Sequence, residues 1–213
     1  GQAAMGHSSG DAIAAMVELA EKLPSGFVFD WAGQTRQEIS AGNLAPILML
    51  LASIFVYLFL VAQYESWMIP ASVLGAVPLS MFGAFSVLYL TGLANNIYAQ
   101  VGLILLIGLS TKTAILIVEF AVQLREEGQT LLDAALNAAK LRFRAVLMTA
   151  FSFLLGVLPL VLATGAGASS RVSLGVTVFS GMLAATILGT LLIPIFFALA
   201  QGLIERSSNK SKG

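Results

Sequence analysis

The chain has 213 residues, of which 58% are hydrophobic and only 10% are charged. Soluble domains are usually about 45–50% apolar and about 25% charged, so this composition excludes an ordinary soluble protein and indicates a membrane protein. The formal net charge is zero and the eleven Lys and Arg residues are scattered, which excludes a nucleic-acid-binding surface. There is no cysteine and only one histidine, His7, so the sequence predicts neither a disulfide nor a metal site, and no cofactor.

The first forty residues predict one helix and one strand. Residues 8–23 place apolar side chains at helical spacing and stop at Pro24, and residues 27–31 alternate with the period of a strand that has one buried face. So short an α/β piece buries too little surface to fold alone. We therefore expect residues 1–40 to be the end of a larger subdomain. Because neither an initiator Met nor a signal peptide precedes them, we expect the chain to be part of a longer protein.

Five apolar stretches follow, and each has about the 20 residues or more that cross the roughly 30 Å hydrocarbon core of a bilayer. Burial of all five in a large soluble core is the alternative, but their short connectors would leave almost no polar surface. The sequence therefore predicts a mainly α membrane protein whose transmembrane region covers residues 41–204. The predicted spans are Leu44–Ala62, Met68–Thr91, Ala99–Gln123, Ala145–Ala163 and Leu174–Ala200.

The distribution of basic residues predicts the orientation of the spans. Three Lys and Arg residues fall on the side of the N-terminus, seven fall on the opposite side, and one, Lys112, lies inside a span. By the positive-inside rule the side with seven is cytoplasmic, which places residues 1–40 in the periplasm and the tail, residues 205–213, in the cytoplasm. The connector at residues 126–140 has apolar residues on one helical face and is expected to lie along the cytoplasmic membrane surface. The seven basic residues are Arg125, Lys140, Arg142, Arg144, Arg206, Lys210 and Lys212.

Lys112 is the most informative residue, because it falls near the middle of the third span. An ionised group at this depth costs on the order of 3 kcal/mol even on mild insertion scales, so it must face protein or water and have a counter-charge. Glu65 is interfacial and Glu119 lies about 10 Å further along the helix, so neither is expected to pair with it. We expect the carboxylate to belong to a transmembrane helix outside this chain. Two roles stay open: a structural ion pair, or a titrating relay that couples proton movement to conformational change.

Other polar groups in the spans have ordinary interpretations when they are taken alone. Hydroxyls such as those of Ser110 and Thr149 most often bond to carbonyls of their own helix. Arg144 is expected to extend toward the cytoplasmic interface. Ser110 and Lys112 do not form a catalytic dyad, because positions two apart on a helix point about 200° away from each other, so no enzyme is predicted.

Six runs of sequence resemble the resistance-nodulation-division (RND) superfamily, in particular its AcrB-type multidrug exporters. The run around Lys112 is similar to the tenth transmembrane helix of these pumps, and together the runs cover nearly the whole chain in order. The resemblance implies that the chain comprises transmembrane helices eight to twelve, preceded by a short α/β piece of a periplasmic porter subdomain. The runs are GLSTKTAILIVEF (108–120), YESWMIP (64–70), NNIYAQVGL (95–103), LRFRAVLMT (141–149), GVLPLV (156–161) and ATGAGA (163–168).

The resemblance implies a homotrimeric pump of the bacterial inner membrane that exchanges protons for drugs and other amphiphilic compounds. The implied partners are a periplasmic adaptor protein, an outer-membrane channel, the lipid bilayer, and an N-terminal half of the same pump that carries an acidic transmembrane pair. Lys112 matches the lysine of the family's proton relay, and Thr149 and Arg144 match the threonine and arginine that complete it. Asn96 stands where many relatives carry Asp, which removes a titratable group near the periplasmic mouth.

Two alternatives remain open at this point. The first is an exporter of heavy metals or another RND-superfamily relative, because the residues that select the cargo would lie outside this chain. The second is a purely structural half that packs against its counterpart and carries no coupling residue.

Overall fold

The computed structural model describes residues 9–24, 26–41 and 44–210, and the regular secondary structure within these ranges is entirely helical. Ser8, the predicted start of the first helix, lies outside the described residues, as do His7 and the last three residues of the predicted tail, 211–213. The helices are α1 (Ser9–Ala20), α2 (Gly33–Ala41), α3 (Leu44–Tyr64), α4 (Ile69–Leu74), α5 (Ala76–Thr91), α6 (Ile97–Glu126), α7 (Leu131–Val161) and α8 (Ala168–Lys210).

Of the two elements predicted before the first span, one is confirmed and the other is wrong. α1 lies within the predicted range 8–23 and ends before Pro24. The predicted strand does not form, because residues 27–32 have no regular secondary structure in the described chain. A strand needs a neighbour to bond its backbone N–H and C=O groups, and the described residues contain no second strand. Phe29 and Trp31 instead contact each other edge to face, with ring centroids 4.8 Å apart.

Within the described residues, five helical segments are long and apolar enough to cross a membrane, as predicted. α3, α6 and α7 form one span each, α4 and α5 together form the span Ile69–Thr91, and the first 35 residues of α8 form the last span, Ala168–Gly202. α8 contacts α4, α5, α6 and α7, so the other helices pack around it, whereas α3 lies mainly against α4 and α6. The chain is therefore a mainly α, multi-pass membrane protein.

A break divides the second span at Gly75. In a continuous helix Pro78 would have no N–H to donate to the carbonyl of Leu74, and its ring would clash with that carbonyl, so α4 ends at Leu74 and α5 begins at Ala76. The missing side chain at Gly75 also lets α8 approach, because a Cβ at this position would lie 2.5 Å from Cδ2 of Phe196. The break thus brings α8 close to the second span.

The helix that contains the fourth span begins earlier than the predicted span. The predicted surface helix at 126–140 and the predicted span Ala145–Ala163 belong to one continuous helix that starts at Leu131. Thr130 caps this helix: its hydroxyl accepts the N–H of Asp133 at 3.3 Å and donates to the Asp133 carboxylate at 2.6 Å. The 31 residues of α7 extend over about 46 Å, more than the roughly 30 Å of hydrocarbon, so part of the helix projects beyond the membrane core.

Small residues on α8 allow α5 and α6 to approach closely. Gly181, Ala185 and Gly189, which recur every four positions, are all buried. A Cβ on Gly181 would clash with the side chain of Leu106 on α6 and would lie 3.0 Å from the carbonyl oxygen of Ser80 on α5. Gly181 is therefore required by helix packing.

Candidate functional site

The two sides of α6 have different surroundings. One side packs into the bundle, where Leu106, Ile107 and Ala114 are at most 1% exposed. On the opposite side, exposed residues recur every three, four or seven positions, the spacing of one face of an α-helix. We call this row the open face, and its residues are Val101, Leu105, Gly108, Lys112, Glu119 and Gln123.

Lys112 lies in the middle of the open face. It comes 15 residues after Ile97 and 14 before Glu126, which places it about 20 Å along the helix axis from either end. A groove of about 390 Å³ adjoins it between α3 and α6. The α3 wall of this groove is entirely apolar, so α3 supplies no acid to this groove. The α3 residues in this wall are Phe55, Val56, Phe59 and Leu60.

The described part of the chain supplies no counter-charge to Lys112. Lys112 takes part in neither of the ion pairs that join Lys22 to Glu18 and Arg36 to Asp30, which both precede the first span. Glu119 shares the open face with Lys112 but forms no ion pair with it.

The hydroxyl groups next to Lys112 are used by the helix itself. Ser110 Oγ donates to the carbonyl oxygen of Leu106 at 2.6 Å, and Thr111 and Thr113 also donate to carbonyls four residues earlier. All three hydroxyl residues are buried, whereas Lys112 is exposed. These hydroxyl groups therefore bond to the backbone of α6 and not to the ammonium group.

The other two residues predicted for the relay lie on α7, whereas Lys112 lies on α6. Thr149 Oγ1 donates to the carbonyl oxygens of Ala145 at 3.2 Å and Val146 at 2.9 Å, and its side chain is exposed. Arg144 is also exposed. Positions five apart on a helix point about 140° from each other, so Arg144 and Thr149 face different directions.

Arg142 packs against α6, whereas Arg144 is exposed. The prediction from the sequence did not distinguish these two arginines. Its guanidinium carbon lies 4.4 Å from the ring centroid of Phe120 on α6, and its Nε is buried without a hydrogen-bond partner among the described residues. The helical spacing of the sequence could have indicated that Arg142 faces the bundle, because it lies four residues from each of two buried positions, Ala138 and Val146.

Asn96 fixes the beginning of α6 and ties it to α8. Its Oδ1 accepts the N–H of Ala99 at 3.0 Å, and its Nδ2 donates to Ser173 Oγ at 2.9 Å. A neutral amide makes both bonds because it is an acceptor and a donor at once. An Asn before an apolar helix is a recognisable cap in a sequence, whereas a partner 77 positions away is not.

The family of the chain follows from comparison with known proteins. The family model described as "AcrB/AcrD/AcrF family" matches residues 1–201. The chain belongs to the AcrB/AcrD/AcrF family. The resemblance to AcrB-type RND exporters that was drawn from the six runs is thereby confirmed.

Three members of the AcrB/AcrD/AcrF family illustrate the similarity. Multidrug resistance protein MdtF of Escherichia coli is 47% identical over 207 residues. Toluene efflux pump membrane transporter TtgB of Pseudomonas putida is 45% identical over 203 residues, and Multidrug export protein AcrF of Escherichia coli is 47% identical over 202. The alignments cover 97%, 95% and 94% of this chain but 20%, 19% and 20% of the respective relatives, so the chain spans about a fifth of their length.

Proposed function

We propose that the chain supplies the cationic side of a proton relay in an RND exporter, and that the complete protein exports drugs and other amphiphilic compounds in exchange for protons. Membership of the AcrB/AcrD/AcrF family supports this class of protein. The names of the relatives denote multidrug and toluene efflux, which supports transport of organic compounds rather than of metal ions, and transport rather than an enzymatic reaction.

The position of Lys112 is the observation on which the relay depends. A charged lysine at the middle of a span costs on the order of 3 kcal/mol unless it is paired. The groove beside Lys112 is lined by apolar residues of α3, and no acidic residue in the described part of the chain forms an ion pair with Lys112. A carboxylate partner must therefore come from elsewhere in the complete protein. The open face of α6 is the surface on which a helix carrying that carboxylate can pack.

The proposed coupling follows from the charge of this pair. While the partner carboxylates are ionised, they hold the Lys112 ammonium group by an ion pair in a medium of low dielectric constant. Protonation of the carboxylates removes that attraction and releases the lysine toward other partners. Because packed helices have few stable arrangements, this exchange of partners shifts α6 as a unit and transmits the change along its length.

Thr149 and an arginine of α7 complete the proposed relay. The sequence resemblance assigned the arginine role to Arg144. Helical geometry favours Arg142, because it lies seven residues before Thr149 and points within about 20° of it. The contact of Arg142 with Phe120 also places it against α6, the helix that carries Lys112.

The proposal also covers the orientation of the chain in the membrane and the assembly of the complete protein. Residues 1–40 belong to a periplasmic porter subdomain, the α6–α7 connector and residues 205–213 are cytoplasmic, and the protein lies in the bacterial inner membrane. The excess of basic residues near the cytoplasmic ends of α6, α7 and α8 supports this orientation. The proposed assembly is a homotrimer that works with a periplasmic adaptor protein and an outer-membrane channel, and the resemblance to AcrB-type pumps supports it.

Replacement of Lys112 in the complete protein tests the proposal. We expect Lys112→Ala to reduce drug resistance to the level of a host that lacks the pump, because the carboxylates lose the cation against which they titrate. The amount of protein in the membrane and its oligomeric state, measured by gel filtration in detergent, are expected to match the parent. Loss of resistance with normal assembly supports the relay, whereas loss of assembly indicates the structural ion pair.

Lys22→Ala is the matched control, because Lys22 is a lysine of an exposed ion pair with Glu18, at 2.9 Å. Such surface pairs contribute between zero and about 1 kcal/mol, so resistance is expected to be unchanged. Parent-level resistance in the Lys112→Ala protein would overturn the proposed relay.

A further inference from the structure

A second groove lies between the first half of α7 and the second half of α8. It has a volume of about 470 Å³ and its walls are mostly large apolar side chains. One cation, Lys140, lies among them, and no acidic residue lines the groove. Its walls include Leu136, Lys140 and Phe143 of α7 and Thr190, Leu191 and Ile195 of α8.

The groove lies at the level where hydrocarbon meets lipid headgroups. Lys140 comes 21 residues before Val161, the end of α7, which is about 32 Å along the helix and close to the roughly 30 Å thickness of the hydrocarbon core. Leu191 comes 23 residues after Ala168, the start of α8, which is about 35 Å along that helix. Both helices therefore bring the groove to the same boundary, in the leaflet near the α6–α7 connector.

Lys140 is available to an anion at this boundary. Its side chain is exposed, and neither of the two ion pairs found in the described residues includes it. Asp133, seven residues earlier on α7, is engaged by the Thr130 hydroxyl at 2.6 Å. Charge complementarity therefore favours an occupant with a negative group at the polar end of the groove.

The shape of the groove favours a flexible chain over another helix. Close packing of transmembrane helices uses small residues such as Gly, Ala and Ser. Leu136, Phe143, Leu191 and Ile195 are large, and Leu191 is 67% exposed. Pro194 also lines the groove and has no N–H to donate to the carbonyl of Thr190, which leaves that oxygen as an acceptor for a hydroxyl group.

We propose that this groove binds one anionic phospholipid. The phosphate lies next to Lys140, one acyl chain lies against Phe143 and Leu191, and a hydroxyl-bearing headgroup such as that of phosphatidylglycerol bonds to the Thr190 carbonyl. The site is separate from the groove at Lys112, which lies on the α3 side of α6. Lipid binding here would hold α7 and α8 together at the membrane surface.

Native mass spectrometry of the complete purified protein tests the site, with dioleoyl phosphatidylglycerol and dioleoyl phosphatidylcholine as the probes. We expect phosphatidylglycerol to bind more tightly, and Lys140→Ala to weaken its binding about fivefold, because a basic residue near the surface contributes roughly a factor of five toward anionic lipid. Lys140→Arg keeps the charge and is expected to retain binding. Leu191→Trp fills the groove and is expected to weaken binding of both lipids.

Leu155→Trp is the matched control, because Leu155 is 68% exposed, on α7 but outside the groove. It is expected to bind both lipids as the parent does. Unchanged phosphatidylglycerol binding in both Lys140→Ala and Leu191→Trp would overturn the proposal, as would equal affinity of the parent for the two lipids. A protein segment found in the groove of the assembled complex would overturn it as well.

Discussion

The packed side and the open face of α6 belong to the same helix but meet different requirements. The packed side carries Leu106 and Ser110, which are completely buried, and its hydroxyl groups bond to the helix backbone. The open face carries Lys112 and Glu119, which are exposed and have no mutual ion pair. The packed side is therefore satisfied by this chain alone, whereas the open face needs a partner.

This difference separates residues that hold the fold from residues that are available for function. Substitutions on the packed side are expected to act on stability and to affect every property of the protein together. Substitutions on the open face, such as Lys112→Ala, are expected to change coupling while the bundle persists. Substitutions on the packed side and at its border with the open face therefore test this distinction.

Gly181→Val is expected to have the largest effect on stability. A Cβ at Gly181 would clash with Leu106 on the packed side of α6 and lie 3.0 Å from a backbone carbonyl of α5, so the helices must move apart. Overpacking of this kind costs about 3 kcal/mol. We expect a lower apparent melting temperature of the complete protein, measured by loss of the monodisperse peak in gel filtration after heating.

The control for Gly181→Val is the same substitution at Gly156, also inside a helix of the bundle. A Cβ at Gly156 would meet no atom within 4 Å. An equal fall in melting temperature for both variants would show that the clash with α6 is not the cause.

Arg142→Ala tests the border of the packed side, where α7 meets Phe120 of α6. The substitution removes a cation–π contact that contributes about 1–2 kcal/mol when desolvated, and it removes the cation that geometry favours for the relay. We expect about a tenfold fall in the drug concentration that the host tolerates, in line with that energy. Arg144→Ala is expected to have less than a twofold effect, because Arg144 points about 140° away from Thr149 on α7. A larger effect of Arg144→Ala would restore the residue assignment made from the sequence resemblance.

The sequence was sufficient to predict the five spans because each contains a long apolar run, and this signal does not depend on packing. It also identified Lys112, because a charge in such a run is unusual regardless of its neighbours. The break at Gly75 can also be inferred from the sequence, because Pro78 has no N–H for the carbonyl one turn earlier and predicts a kink in its span. The strand at residues 27–31 was predicted from alternation alone, and a strand depends on partners that a local pattern does not reveal.

The arrangement around Lys112 was less predictable than the spans. Which of Arg142 and Arg144 faces α6 depends on the rotation of α7 against its neighbours, and both residues fit the positive-inside rule equally well. The continuity of α7 from Leu131 was missed because a change from amphipathic to uniformly apolar sequence looks like a boundary between elements. A helix can cross that change without interruption when no Gly or Pro intervenes.

Asn96→Ala is expected to have a smaller effect than Gly181→Val and Arg142→Ala. It acts at the first turn of α6. The substitution removes the bond to the Ala99 N–H and the bond to Ser173 Oγ, which together contribute about 1–2 kcal/mol. Hydrogen exchange of the peptide covering residues 95–103 in the complete protein is expected to quicken by about fivefold or more, since local opening of the first turn becomes easier.

Asn95→Ala is the control, because Asn95 is exposed and uses its backbone carbonyl, not its side chain, in its bond with Gln100. Asn96→Asp keeps the capping acceptor and is expected to exchange more slowly than Asn96→Ala; faster exchange than in Asn96→Ala would contradict the capping role. A double substitution with Ser173→Ala isolates the bond to α8, since two residues that share a hydrogen bond do not contribute additively.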